Sequence, residues 1–144
     1  MKRRIYLDNC CFNRPYDDQS YLVIRLESEA KLFVQKEILQ GTFELVWSYI
    51  LDFENFVNPY ENRKKAIEKW REVAILDMDE SDEIIELSKI IMHKGVKKKD
   101  ALHIACAIQA KCDDFLTTDK KILNSSFNEI RTINPLDFIK MLEV

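Results

Sequence analysis

The stretch KKKDALHIACAIQAKCDDFLTTDK, residues 97–120, decides how the chain is read. Its first half places Ala101, Ile104, Ala105, Ala107 and Ile108 at helical spacing, a small apolar face suited to close packing on a sheet. Its second half, DFLTTD, is a short apolar run that ends in an acid and reads as a buried strand. The same alternation runs through the rest of the chain. RRIYLD, FELVWS, AILDM and EIRTIN are further strand candidates, separated by helical patterns. Alternating strands and helices predict an α/β fold with a mainly parallel central sheet of four or five strands. Helices are expected over 20–40, 49–58, 60–72, 81–94, 99–111, 119–125 and 135–142, with Ser48, Ser81 and Asn134 as N-caps. Gly41 and Gly95, the two glycines of the chain, each follow a helical pattern and read as helix stops.

At 144 residues and 47% hydrophobic content, with no repeat and no Pro/Gly/Ser-rich linker, the sequence reads as one globular domain over 1–144. Lys plus Arg number 22 against 25 Asp plus Glu, a net of −3, so no protein-wide positive field gathers nucleic acid. Any such contact must be local. Cys10, Cys11, Cys106 and Cys112 have no paired CxxC spacing and read as reduced, packed thiols. No secretory pattern opens the sequence and no apolar run reaches the roughly 18 residues of a membrane span, so the expected location is cytoplasmic. Without GxGxxG or GxxxxGK, the backbone cradles that hold nucleotide phosphates are also missing. Phosphate chemistry here needs another device.

The acids supply one. Open parallel sheets bind ligands beyond the carboxyl ends of their strands. Asp8 ends the first strand and Asp119 the fourth, while Asp100 opens a helix aimed at the same sheet end. Glu54 follows the second strand on a helical face shared with Ile50, Phe53 and Val57, where an acid is unexpected. Singly, Asp100 also fits a helix-dipole acid and Asp119 an N-cap. Jointly, four acids at one edge repel: at an effective dielectric of about 20, two charges 4 Å apart cost about 4 kcal/mol. An all-oxygen donor set suits a hard divalent ion, Mg2+ or Mn2+, and the chemistry implied is hydrolysis of a phosphodiester.

With YLDNCC at the start, SYILDFE, KKKDALHIACA and DFLTTDKKIL in order, the chain resembles the PIN-domain family of metal-dependent ribonucleases, which includes toxins of the VapC type. The likeness runs over essentially the whole sequence. It implies a three-layer α/β/α fold and Mg2+- or Mn2+-dependent cleavage of RNA, with the acidic quartet falling on Asp8, Glu54, Asp100 and Asp119 as catalytic and metal-holding residues. It also implies two partners, a small antitoxin protein and a second copy of the chain in a homodimer.

Around the quartet, Arg14, Asn9 and Asn13 in the loop leaving Asp8 are the expected substrate contacts, Arg14 foremost because a guanidinium suits bidentate phosphate binding. Asp113 and Asp114 read as turn residues at the far edge of the sheet, and Asp52 as a second-best site acid. His103, Trp47, Trp70, Phe53 and Phe56 read as packing residues, and Lys97, Lys98 and Lys99 as a solvated run. Two other readings compete with the ribonuclease. One is a catalytically idle PIN-like module that binds RNA or protein, though such a module has no need of a repulsive cluster. The other is an acid-edged phosphatase, but Cys10 stands where that pattern needs its second acid.

Overall fold

The computed structural model describes residues 2–143. Its centre is a five-stranded, wholly parallel sheet in the order β3-β2-β1-β4-β5. The strands are β1 Arg3–Leu7, β2 Phe43–Ser48, β3 Leu76–Met78, β4 Asp114–Leu116 and β5 Arg131–Ile133. All five lie where the sequence predicts strands. The helices are α1 Asn9–Asn13, α2 Leu22–Leu39, α3 Tyr49–Phe56, α4 Glu61–Glu68, α5 Trp70–Val73, α6 Asp82–Met92, α7 Lys98–Gln109, α8 Lys120–Leu123 and α9 Pro135–Leu142. Together they make the expected three-layer α/β/α arrangement.

The local chemistry explains the boundaries. Ser48, Ser81 and Asn134 cap α3, α6 and α9, accepting from the backbone N–H groups of Leu51, Ile84 and Leu136. Gly41 ends α2 with φ +82°, and the paired bonds Gly41 N–H to Ile38 O and Thr42 N–H to Glu37 O close a Schellman motif. Strands β3 and β4 are shorter than the runs AILDM and DFLTTD suggest, and the 60–72 helix breaks at Lys69 into α4 and α5. A further difference lies after Asp8, where the predicted loop is α1 followed by a 3-10 turn over Arg14–Tyr16. The run NCCFN has no helical apolar period long enough to announce five residues of helix. It forms because Asp8 caps it and because Cys11 and Phe12 are buried against the sheet.

Strand β1 lies at the middle with Ile5, Tyr6 and Leu7 fully buried. Covered on both faces, it reads as a continuous apolar run rather than an alternating one. Tyr6 stacks on Phe115 of β4, ring centroids 5.2 Å apart and nearly coplanar, and Phe12 meets Trp47 edge-on at 5.4 Å. Burying each such side chain contributes about 1.5–3 kcal/mol.

Asp114 is not a turn residue. It starts β4, is fully buried, and its carboxylate takes a 2.9 Å bond from Arg3, with Arg131 3.9 Å away. Burial nevertheless pushes its pKa up, against the pull of the two arginines. Asp113 stays exposed and accepts from the Arg4 N–H at 2.8 Å.

The strand order fixes where a ligand site can form. The chain walks from β1 outward through β2 to β3, then returns to the other side of β1 for β4 and β5. The order therefore reverses between β1 and β4, and the crevice beyond their carboxyl ends is the topological switch point. Asp8 follows β1 at that point, and Asp119 lies three residues beyond the end of β4.

Candidate active site

Asp8, Glu54, Asp100 and Asp119 line one cavity of about 410 Å3, together with Asn9, Cys10, Asn13, Arg14 and Asp17. Each acid arrives on a different element. Asp8 caps α1, one oxygen accepting from the Asn9 N–H at 2.8 Å, while its other oxygen accepts from the Thr117 hydroxyl at 2.8 Å. Asp119 caps α8 by accepting from the N–H groups of Lys121 and Ile122, at 2.8 and 3.4 Å. Asp119 thus combines the capping of α8, through one oxygen, with a place on the cavity wall. Thr117, a residue with no signal of its own in the sequence, joins the first acid to the last. Its hydroxyl donates to Asp8 and accepts the Asp119 N–H at 3.0 Å.

Glu54 does not lie on a buried stripe. Ile50 is buried, but Phe53 and Val57 are 54% and 60% exposed, and Phe56 is exposed as well. Phe53 and Phe56 are therefore surface residues, not the packing residues that the sequence suggested. Trp70 packs against the core and Trp47 on β2 is buried, both as expected, the Trp47 indole N–H donating to Asp52 at 2.8 Å. That bond and a 3.3 Å contact from Arg71 hold Asp52 on the outer side of α3, out of the cavity.

His103 is the site residue that sequence reasoning set aside as packing. It is buried, its Nε2 bonds the Glu54 carboxylate, and the same nitrogen lies 3.8 Å from Asp8. Its Nδ1 meets the Tyr6 hydroxyl at 2.6 Å, and that hydroxyl meets the Ser48 hydroxyl at 2.6 Å. The polarity of this chain follows from the Glu54 end. An ionised carboxylate only accepts, so Nε2 carries a proton and donates to Glu54. In the neutral ring Nδ1 is then the acceptor and takes the Tyr6 proton. The signal was present in the spacing, since His103 is three residues beyond Asp100 and shares its helical face.

The electrostatics are those of acids crowded without a counter-charge. Burial raises the Asp100 carboxyl, and the charges of Asp8 and Asp119 add to it, to a pKa of about 6. Burial opposes a charge on His103, yet the Glu54 bond and the carboxylates of Asp8, Glu54 and Asp100 outweigh it and raise its pKa. Asp8, Glu54 and His103 each present an atom within 4.8 Å of the other two, a spacing one ion could bridge. Since the Nε2 proton points at Glu54, the carboxylates are the donors that fit a hard divalent cation, and a cation would relieve the repulsion that lifts Asp100.

The expected substrate contacts are placed unevenly. Asn9 and Asn13 border the cavity, but the Asn13 amide donates to the Asn9 carbonyl at 3.0 Å. Arg14 reaches the cavity wall with its charge already matched: 3.1 Å from Asp17, 3.5 Å from Glu27, and 2.7 Å from the Thr118 hydroxyl. It fastens α2 and the β4–α8 connection to α1 instead of standing free for a ligand. Lys97, Lys98 and Lys99 are exposed, as expected, and Lys99 lies 5.3 Å over the Phe53 ring. All four cysteines are free thiols; Cys11, Cys106 and Cys112 are buried, and Cys10 is half-buried beside Asp8.

The model of the PIN domain family matches residues 5–128, which takes in all four acids. Among solved structures, the chain is similar to one in the crystal structure of VapBC2 from Rickettsia felis bound to a DNA fragment from their promoter. The match has a TM-score of 0.56 at 14% identity and covers 91% of this chain and 98% of that one. At that identity the likeness is one of fold. No curated protein matches the sequence.

Proposed function

The chain belongs to the PIN-domain family, and on that premise we propose that it is an endoribonuclease, hydrolysing RNA phosphodiester bonds with Mg2+ or Mn2+. The observation that carries this reading is the meeting of Asp8, Glu54, Asp100 and Asp119 in one crevice at the switch point of the sheet. Stability alone gives no reason to gather four carboxylates there and to raise Asp100 to about 6.

The four acids are the residues that would hold the ion. When bound, a hard divalent cation neutralises phosphate charge and makes water a better nucleophile at neutral pH. The rest of the site serves to keep those oxygens in place. Thr117 fixes the rotamer of Asp8, the α8 N–H groups fix Asp119, and the donor on His103 fixes Glu54. Such supporting bonds are what allow a metal site to be set before its ion arrives.

A small antitoxin protein is the proposed partner, supported by the shared fold with a chain of VapBC2. No helix among the described residues is long and apolar enough to cross a membrane.

The test is cleavage of a labelled single-stranded RNA with Mn2+ by the wild type and by Asp100→Asn. Cleavage that disappears in the variant and in chelator supports the reading. Full activity in Asp100→Asn, or no wild-type cleavage of any RNA with either ion, would sink it.

A further inference from the structure

A second cavity, of about 290 Å3, adjoins the acidic one, and Asn9, Asn13 and Glu54 form part of both walls. Its outer wall carries Tyr60 and Arg63. The Arg63 guanidinium lies between two rings, its Cζ 4.6 Å from the centroid of Tyr16 and 4.2 Å from that of Tyr60. Its Nε is buried without a hydrogen-bond partner, and among the described residues it makes no ion pair. A guanidinium stacked on aromatic faces keeps its in-plane N–H donors available, because the rings cover its faces and leave its edge open.

Arg14, on the wall of the acidic cavity, is neutralised by Asp17 and Glu27. Arg63 has no such partner. It is a held cation without an ion pair among the described residues, on the wall of a cavity that shares Asn9, Asn13 and Glu54 with the acidic one. An RNA strand entering the acidic crevice brings its backbone phosphates past the acids, and a cation beside the crevice offsets the repulsion of the cluster.

We propose that Arg63 binds a backbone phosphate of single-stranded RNA adjacent to the one cleaved, with Tyr16 and Tyr60 as the rings that position it. This rests on the ribonuclease reading and adds to it the direction in which the strand leaves the crevice, across Asn13 toward α4. A carboxylate of a protein partner would also suit a guanidinium. The shared wall with the acidic cavity favours the phosphate, since one strand then occupies both.

The experiment uses the full chain carrying Asp119→Asn to stop cleavage, with labelled single-stranded RNA titrated by fluorescence anisotropy over a salt series. Arg63→Ala and Arg63→Gln should each raise Kd about tenfold, the loss of one charge-assisted contact, and lower the log–log salt slope by about one. Arg63→Lys should keep the slope while losing part of the affinity, because an ammonium cannot form the planar fork. Tyr16→Ala combined with Tyr60→Ala should weaken binding, and Tyr16→Phe with Tyr60→Phe should not. Arg63 variants that bind with the affinity and slope of a parent that does bind RNA would overturn this assignment and leave the ribonuclease reading standing. A parent that binds no RNA at any salt would overturn both.

Discussion

The hydroxyl of Tyr6 and Nδ1 of His103 lie 2.6 Å apart inside the protein, across the ring from the Nε2 that bonds Glu54. Tyr6 belongs to the central strand, His103 to α7 and Glu54 to α3, so a single hydrogen-bonded line ties three elements to one carboxylate. The line begins at Ser48, which also caps the helix carrying Glu54. The sheet therefore fixes both the start of α3 and the direction of its acid.

Removing members of that line should loosen the acid while leaving its carboxylate in place. His103→Ala should weaken Mn2+ binding by about 10- to 100-fold, the usual range for a group that orients a metal ligand. His103→Gln, whose amide reaches the Nε2 position, should recover part of the loss. Tyr6→Phe should lie between, and should also cost about 1–3 kcal/mol of stability because Ser48 and His103 lose a buried partner. Isothermal titration with Mn2+ beside thermal melts separates the two effects. Unchanged Mn2+ affinity in His103→Ala would show that the ring only fills space.

Amide substitutions at the acids should separate chemistry from folding. Asp8→Asn, Glu54→Gln, Asp100→Asn and Asp119→Asn should abolish RNA cleavage while melting temperature in chelator holds or rises, since each removes one repulsive charge. Asp119→Asn can still cap α8, so a cleavage loss there is not a capping loss. Asp113→Asn, at the opposite edge of the sheet, is the control and should cleave normally.

Asp114→Asn should behave in the opposite way to the site acids. It leaves the crevice intact but removes the buried partner of Arg3, at a cost of about 1–3 kcal/mol. For a chain of this size that is a fall of about 2–4 °C per kcal/mol. Cleavage measured well below the melting temperature should be unaffected.

Acidity should act on the site through Asp100. Its carboxyl titrates near 6 in the folded chain against 3.8 for the unperturbed group. The folded state thus holds the proton more tightly than the unfolded one. In chelator, stability should fall as pH rises from about 4 through about 6, because ionisation sets a charge among Asp8, Glu54 and Asp119. Mn2+ binding needs the ionised form and should strengthen over the same interval. Asp100→Asn should flatten this part of the chelator profile. A profile identical to wild type would place the titration elsewhere.

Much of this architecture was legible in the residues because it rests on local rules. The strands of a buried parallel sheet are short continuous apolar runs, and the caps at Ser48, Ser81 and Asn134 are chemistry of neighbouring residues. The coming together of Asp8, Glu54, Asp100 and Asp119 followed from the rule that loops at the carboxyl ends of parallel strands gather at one edge. What was hidden is what depends on long-range partners. Helix α1 exists because tertiary burial of Cys11 and Phe12 overrides a weak local pattern. Arg14 looked free since Glu27 and Thr118, which occupy it, are distant in sequence. Phe53 and Phe56 have the composition of core and the exposure of surface, because α3 packs through Ile50, Leu51 and Asn55. No period within eight residues of helix distinguishes those two faces.

The bond from Thr117 to Asp8 spans 109 positions of sequence, and that separation carries a consequence for synthesis. A chain emerging from the ribosome presents Asp8, Glu54 and Asp100 long before β4 has formed. Until that strand inserts beside β1, Asp8 has neither the hydroxyl that orients it nor Asp119 as a neighbour. Parallel pairing between segments so far apart is slow to nucleate, and N-terminal elements fold first during translation. The crevice is thus completed by one of the last strands to be made. A chain ending before Leu116 carries three of the four acids without the strand that orients Asp8 and leads to Asp119, so the crevice is assembled only once β4 is made.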